Sequence, residues 1–114
     1  MRKISELTLA ERDDYVCRQS IAVLQACGYE MPEEVALAYL LDSEAQEGYR
    51  FDVLDAVFNC IAFTLQHKRD DAEAKEAMEN LLQEAGAEHV HRLTDQLVRI
   101  AEAAARDELE PLVC

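Results

Sequence analysis

The chain has 114 residues, half of them hydrophobic and 31% charged, with 24 acidic side chains against 11 basic ones. This length suits one ordinary domain, and the composition is too apolar for intrinsic disorder, so we expect a fold. The net charge of −13 disfavours direct binding to nucleic acid or to anionic membranes, since both depend on Lys and Arg. It favours a basic protein partner, although acidity can also serve solubility alone.

Two features of the sequence bear on location and redox state. The N-terminal residues lack the apolar stretch of a signal peptide, and no run of about 18 apolar residues could cross a membrane. We therefore expect a cytoplasmic protein with reduced cysteines and no membrane contact. No Cys-x-x-Cys pair occurs, so Cys17, Cys27 and Cys60 are predicted to be small buried hydrophobic residues, whereas the terminal Cys114 is predicted to be exposed.

The first two predicted helices are defined by the signals at their ends. Thr8 and Glu11 have capping-box spacing, so helix 1 begins at Thr8 and ends before Gly28, which suits a left-handed cap. Helix 2 has Pro32 in its first turn, where the missing N–H costs nothing, followed by acids near the positive end of the helix dipole. Its body, residues 35–41, is apolar on all sides.

Helix 3, predicted over about 52–67, is the most hydrophobic segment and is expected to be central to the core. Residues 68–71 are predicted to form a polar turn in which Asp70 or Asp71 caps the next helix, but without Gly or Pro helices 3 and 4 could also be continuous. Phe63 falls beside the polar stripe of the helix, so either another helix covers it, for which we expect helix 5, or it belongs to a contact surface. The apolar face comprises Val53, Leu54, Val57, Phe58, Cys60, Ile61 and Leu65.

Helices 4 and 5 are amphipathic and are predicted to pack on helix 3 as an antiparallel hairpin. Helix 4 ends at Gly86, and helix 5 spans about 88–108. The chain is thus predicted to be all-α, a compact bundle of four to five helices in one domain, with loose ends at 1–7 and 109–114. The apolar stripes comprise Ala74, Met78, Leu81, Leu82 and Ala85 in helix 4, and Val90, Leu93, Leu97, Ile100, Ala101 and Ala104 in helix 5.

No group of residues predicts catalysis, a metal or a cofactor. Glu88, His91 and Asp95 share one helix face, as ligands do in carboxylate-bridged metal bundles, but one such step is too few and it lies on the polar face of helix 5. Cys17 follows the core positions of helix 1 although Arg18 stands beside it, and no serine lies in a nucleophile elbow. We therefore predict no catalytic residue, no metal and no cofactor.

Negative charge is concentrated in the middle of the sequence. Between Gly28 and Gln66, eight acids accompany a single base, Arg50. Tyr49 and Phe51 lie beside these acids, either as anchors for a partner or as rings that pin the loop to the core. The predicted partner-binding surface comprises Glu30, Glu33, Glu34, Asp42, Glu44, Glu47, Tyr49, Phe51, Asp52 and Asp55.

Three function classes follow in order of preference. The first is a non-enzymatic protein-binding module, such as an inhibitor, an immunity-type protein or an adaptor, that presents a negative helical surface to a basic partner. One special form would mimic nucleic acid and occupy a nucleic-acid-binding site. The second is a homodimer with a structural or regulatory role, whose surplus apolar surface closes the subunit interface. The third is a small metal-dependent or thiol enzyme. The salt dependence of binding distinguishes the first two, because added salt weakens a complex that forms by charge attraction but not a dimer held by apolar contacts.

Overall fold

The computed structural model describes residues 3–112, and this part of the chain is all-helical, which confirms the predicted fold class. After a 3₁₀ turn at Ile4–Glu6, its five α-helices follow in chain order. They are α1 (Leu9–Ala26), α2 (Glu33–Asp42), α3 (Phe51–His67), α4 (Ala72–Glu84) and α5 (Val90–Ala105). None of the helices in residues 3–112 combines the length and the apolar character needed to cross a membrane.

The helix ends follow local signals. The Thr8 side chain accepts a hydrogen bond from the backbone N–H of Glu11, whose carboxylate accepts one from the Thr8 backbone, so the predicted capping box is present. Gly28 follows α1 with a φ of 89°, the left-handed conformation that glycine adopts most easily. α3 and α4 are separate helices, because Lys68 turns out of α3 at a φ of 52° and Asp71 caps α4.

α3 is the central element of the bundle. It contacts α1, α4 and α5, and α4 and α5 pack together as the predicted hairpin. Nine of its seventeen residues are buried, Leu54 and Ile61 completely. The predicted apolar face is confirmed except at Phe58, which is only half-buried. The core is therefore built around α3, between α1 and the α4–α5 hairpin.

The three internal cysteines are buried free thiols, as predicted. Burial raises the pKa of the Cys60 thiol to about 12, and it also raises the pKa of Cys17 and of Cys27. A thiol that keeps its proton at neutral pH is a poor nucleophile. The predicted exposure of Cys114 concerns a residue outside the described part of the chain.

α2 is packed much less completely than α3. Among its ten residues only Val35 and Ala36 are buried. Leu41 is 68% exposed, although it belongs to the stretch that is apolar on all sides. α2 therefore leaves apolar surface uncovered in the described structure.

The ends of the described chain are docked, in contrast to the loose ends predicted at 1–7 and 109–114. Ile4 is completely buried, and its backbone N–H donates to the carbonyl oxygen of Asp107 at 3.1 Å. Near the other end, the Tyr15 hydroxyl donates to the carbonyl oxygen of residue 110 at 2.7 Å. This docking is hard to predict from the sequence, because a single apolar residue in a polar segment forms no periodic pattern.

Asp107 joins both chain ends to the end of α3. Its carboxylate accepts a hydrogen bond from the Ser5 hydroxyl at 2.6 Å and pairs with the Lys68 ammonium group at 2.7 Å. Lys68, and then Ser5, hold the pKa of Asp107 at about 2, well below its ordinary value. The carboxylate is therefore charged at neutral pH, where it holds Ser5 and Lys68 together.

Candidate functional site

All eight predicted acids are exposed, but they do not form one patch. α2 separates one group at its amino end from another that follows its carboxyl end. Residues 33 and 42 are about 14 Å apart along the helix axis, which exceeds the Debye length of about 8 Å in physiological salt. The two groups therefore act largely independently. The first contains Glu30, Glu33 and Glu34, and the second, called the acidic end below, contains Asp42, Glu44 and Glu47.

Arg50, the single base among these acids, is turned away from the acidic end. Its guanidinium group pairs with Asp52 at 3.0 Å and with Glu88, and it donates to the carbonyl oxygens of Ala85 and Gly86 at 3.1 Å. Its hydrogen bonds to Asp52 lower the pKa of that carboxyl group. Arg50 thus holds the connection between α4 and α5 and is not free to neutralise acids elsewhere.

The remaining charge divides unequally between the two groups. In the first group Glu33 pairs with Arg18 of α1 at 3.3 Å. Within residues 3–112 no side chain of the acidic end forms an ion pair. Three uncompensated carboxylates within six residues make the acidic end the stronger local source of negative potential.

The aromatic residues beside the acids take different positions. Phe51 is 9% exposed and stacks on Tyr39, with ring centroids 4.3 Å apart and ring planes at 11°. Tyr49 is half-buried, and its ring centroid lies 6.1 Å from that of Phe51. Phe51 therefore belongs to the core and fastens α2 to α3, which is the second of the two roles that the sequence left open for it. Tyr49 keeps part of its ring accessible.

Tyr39 and Asp55 connect the carboxyl half of α2 to α3. The Tyr39 hydroxyl donates to Oδ2 of Asp55 at 2.6 Å, which raises the pKa of the tyrosine because the charged carboxylate stabilises the protonated hydroxyl. Asp55 is thereby oriented along the edge between the two helices. It remains exposed, so its negative charge adds to that of the neighbouring acidic end.

A cleft of about 360 Å³ lies between the carboxyl half of α2 and the exposed side of α3. It directly adjoins the acidic end, because Ser43, which lines the cleft, stands between Asp42 and Glu44 in the chain. The cleft combines apolar side chains with one carboxylate and two small polar groups. Its lining comprises Tyr39, Leu40, Ser43, Asp55, Phe58 and Asn59.

A second cleft of about 240 Å³ lies between α3 and α4 and is almost entirely apolar. Phe63 lines it and is 38% exposed, with its ring centroid 4.4 Å from that of His67. The prediction that helix 5 covers Phe63 is wrong: the residue lies beside α4, which leaves part of the ring open. The lining comprises Asn59, Cys60, Phe63, Ala74, Ala77, Met78 and Leu81.

The two clefts share Asn59 and follow one another along α3. We call the combined surface the α3 groove. Its floor is the side of α3 from Asp55 to Phe63, and its two walls are the carboxyl half of α2 and one side of α4. An apolar groove with a strongly negative end can bind a segment that carries both apolar and basic side chains.

Two further clefts flank α1. One, of about 200 Å³, lies between α1 and α2 and is lined by Leu37 and the exposed Leu41 together with two acids of α1, Asp13 and Asp14. The other, of about 440 Å³, is bounded by α1 and the chain segment that includes Leu109. Neither continues into the α3 groove through a shared lining residue.

The residues weighed for metal binding do not assemble into a site. Within residues 3–112 no three histidine, cysteine or acidic side chains come close enough to hold a metal ion. Glu88 is engaged by Arg50, and its backbone N–H donates to the Tyr29 hydroxyl at 2.9 Å. Its role is therefore to join the α4–α5 connection to the rest of the bundle.

Several residues of the groove were not predicted as site residues. In the sequence, Leu40 belongs to a helix that is apolar on all sides, Leu81 belongs to the apolar side of helix 4, and Ala77 lies outside that side. A helical wheel shows which residues share a face but not whether a neighbouring helix covers that face. The exposed position of Phe63 beside Asn59 was the one usable signal.

Compared with models of protein families, with curated proteins and with solved structures, the chain matches none of them.

Proposed function

We propose that the protein is a non-catalytic binding module of the cytoplasm, acting as an inhibitor, an immunity-type protein or an adaptor does. It binds a basic protein partner through the acidic end and the adjoining α3 groove. The observation that carries this proposal is that three exposed carboxylates, without an ion pair within residues 3–112, flank Ser43, which lines an open cleft of mixed polarity. A nucleic-acid-binding protein is one kind of partner with suitable charge, which would make this surface a nucleic-acid mimic.

The charge and the groove have separate roles in this proposal. Exposed carboxylates attract a basic surface over about a Debye length and mainly raise the association rate. The apolar groove excludes water and mainly slows dissociation, since buried apolar anchors supply most of the affinity. The direct binding of nucleic acid remains disfavoured by the charge of −13.

The test compares two triple charge reversals by surface-based kinetics. The partner is first isolated from native lysate and then measured against purified protein at two salt concentrations. The test variant is Asp42→Lys, Glu44→Lys and Glu47→Lys. The control is Glu76→Lys, Asp95→Lys and Glu102→Lys, which makes the same charge change at exposed positions outside both clefts of the groove.

We expect the test variant to associate at least about tenfold more slowly at low salt and to lose most of its salt dependence. The control variant carries the same net charge and should change the rate much less. Equal association rates for the two triple variants would overturn the proposal. Binding that is insensitive to salt in the native protein would favour the apolar homodimer instead.

A further inference from the structure

We infer that the binding segment of the partner is an amphipathic α-helix with basic residues toward one end, lying along the α3 groove. The inference rests on the proposed function and specifies its partner. The alternatives for the groove, a second copy of this chain and an acidic helix, are distinguished by the experiment below.

The shape of the groove suits a helix. From Asp55 to Phe63 the floor extends over nine residues, about 12 Å from the first to the last, which corresponds to about two turns of a bound helix. The α4 wall presents the small side chains of Ala74 and Ala77, which allow close approach of another helix backbone. Such a helix would become a neighbour of α2, α3 and α4 at once.

The apolar side chains of the groove are only partly buried within the protein. Ala77 is exposed, and Leu40, Phe58 and Leu81 are half-buried. Phe63 turns one side of its ring to His67 and leaves more than a third of its surface open. Contiguous apolar surface bordered by polar groups is typical of an interaction site in a soluble protein.

The charge along the groove is asymmetric. At the amino end of α3 lie the acidic end, Asp55, and Glu84, which follows Leu81 by three residues and so shares its side of α4. At the opposite end of the groove, His67 contacts Phe63, and Arg69 follows two residues later, paired with both Asp71 and Glu73, so that fewer acids are left without a base there than at the acidic end. A helix with lysine or arginine near one end therefore has one favoured orientation.

The same charges disfavour the other occupants. An acidic helix would bring its carboxylates against those of the acidic end, and residues 42–47 include no basic side chain that could pair with them. A second copy of this chain, with a net charge of −13, would meet the groove with a largely negative surface. Like charges placed together across an interface reduce binding and select against such partners.

The experiment uses tryptophan fluorescence, because the chain has no tryptophan of its own. Phe63→Trp places a single fluorophore in the groove, and Leu9→Trp places one at a 76% exposed position outside it. The probe is a tryptophan-free peptide of about 14 residues, about 21 Å as a helix, with leucines on one side and lysines concentrated toward one end. One control peptide replaces every lysine with glutamate, and another contains the same residues in scrambled order.

We expect the leucine–lysine helix to shift the emission of the Phe63→Trp protein to shorter wavelength and to leave the Leu9→Trp protein unchanged. The acidic and scrambled peptides should bind at least about tenfold more weakly. Equal binding of the acidic and basic helices, or a shift only in the Leu9→Trp protein, would overturn the inference. An emission shift that appears on concentrating the protein without peptide would also overturn it, in favour of a second copy.

A pair of variants on α4 tests the site of peptide binding by a change other than the Phe63→Trp substitution. Ala77→Arg places a charged side chain in the groove, and Gln83→Arg makes the same charge change on the same helix outside it. Both positions are exposed, so both variants should fold, which circular dichroism checks. We expect Ala77→Arg, labelled through Phe63→Trp, to weaken peptide binding at least about tenfold and Gln83→Arg to weaken it less than about twofold. Similar weakening by both would overturn the inference.

The inference and the proposed function can fail separately. If the reversal at the acidic end slows association of the native partner while Ala77→Arg leaves that partner's dissociation unchanged, the binding function stands and the groove inference falls. If neither the reversal nor Ala77→Arg affects the native partner, both fall.

Discussion

α2 and α3 are both rich in apolar residues, yet they occupy opposite positions in the bundle. α3 buries nine of its seventeen residues, whereas α2 buries two of its ten. The reason is the number of neighbours: α3 packs against α1, α4 and α5, while α2 lies at the edge against α1 and α3. The apolar character of a helix therefore does not determine how much of it is covered. The carboxyl half of α2 at Tyr39 and Leu40, the adjoining side of α3 and one side of α4 form the surface proposed for binding.

The largest expected effect is on the free energy of unfolding, which truncation of a side chain should lower much more in α3 than in α2. Truncating Leu54→Ala or Ile61→Ala in α3 should lower the free energy of unfolding by about 2–5 kcal/mol, because each removes a completely buried side chain and leaves a cavity. Leu41→Ala in α2 should change it by less than about 0.5 kcal/mol, since Leu41 is mostly solvated. Urea unfolding measures both. A cost at Leu41 as large as that in α3 would contradict the account of α2.

A smaller effect concerns the attachment of α2 to α3. Tyr39→Ala removes the stack on Phe51 and the hydrogen bond to Asp55, and should cost about 1–2 kcal/mol. Tyr39→Phe keeps the stack and loses only the hydrogen bond, so it should cost less, about 1 kcal/mol. The comparison uses the same urea unfolding. Equal losses for the two variants would show that the stack contributes nothing to the attachment.

The contacts of Asp107 with Ser5 and Lys68 provide a pH-dependent test on the α3 side of the bundle. The pKa of Asp107 is lowered to about 2 by Lys68 and Ser5, so its charged form stabilises the folded state. That contribution is complete above the ordinary value of about 4 and is lost as the pH falls from about 4 toward 2. Asp107→Asn should lower stability at pH 7 and remove this part of the acid dependence. Asn also suits the φ of 59° at this position.

Thermal unfolding between pH 2 and pH 7 checks this prediction. Asp70→Asn is the matched control, because Asp70 is exposed and has no ion pair within residues 3–112. It should leave the pH profile close to that of the native protein. Parallel profiles for the native protein and Asp107→Asn would mean that the carboxylate does not tie the chain ends to Lys68.

The sequence predicted those features that depend on neighbours along the chain. The capping box at Thr8, the left-handed Gly28 and the Asp71 cap each follow from residues within one turn. Features that depend on which helix covers another were missed or misjudged. Phe63 lies beside α4 and not under α5 as predicted, and only the structure decides between the two roles left open for Phe51, in favour of the core.

The division of the acidic surface also depended on tertiary structure. Counting charge along the chain treats residues 28–66 as one patch, but the length of α2 separates its two ends. Nor does the sequence reveal that Arg50 turns to Glu88 and the carbonyl oxygens of the α4–α5 connection. Without that observation, Arg50 would seem to neutralise part of the acidic end. The proposed location of the binding surface therefore rests on the fold and not on the charge count alone.

Methyl NMR with the leucine–lysine helix tests the central claim most directly, because it maps the contact without changing the groove. Methyl resonances of Leu40, Ala77 and Leu81 should shift on titration, since all three line the α3 groove, and should lose their shifts as salt rises, since charge attraction contributes to the binding. Those of Leu9, which lies on α1 and lines neither cleft of the groove, should stay in place. Shifts at Leu9 in the absence of shifts at Ala77 and Leu81 would contradict the account.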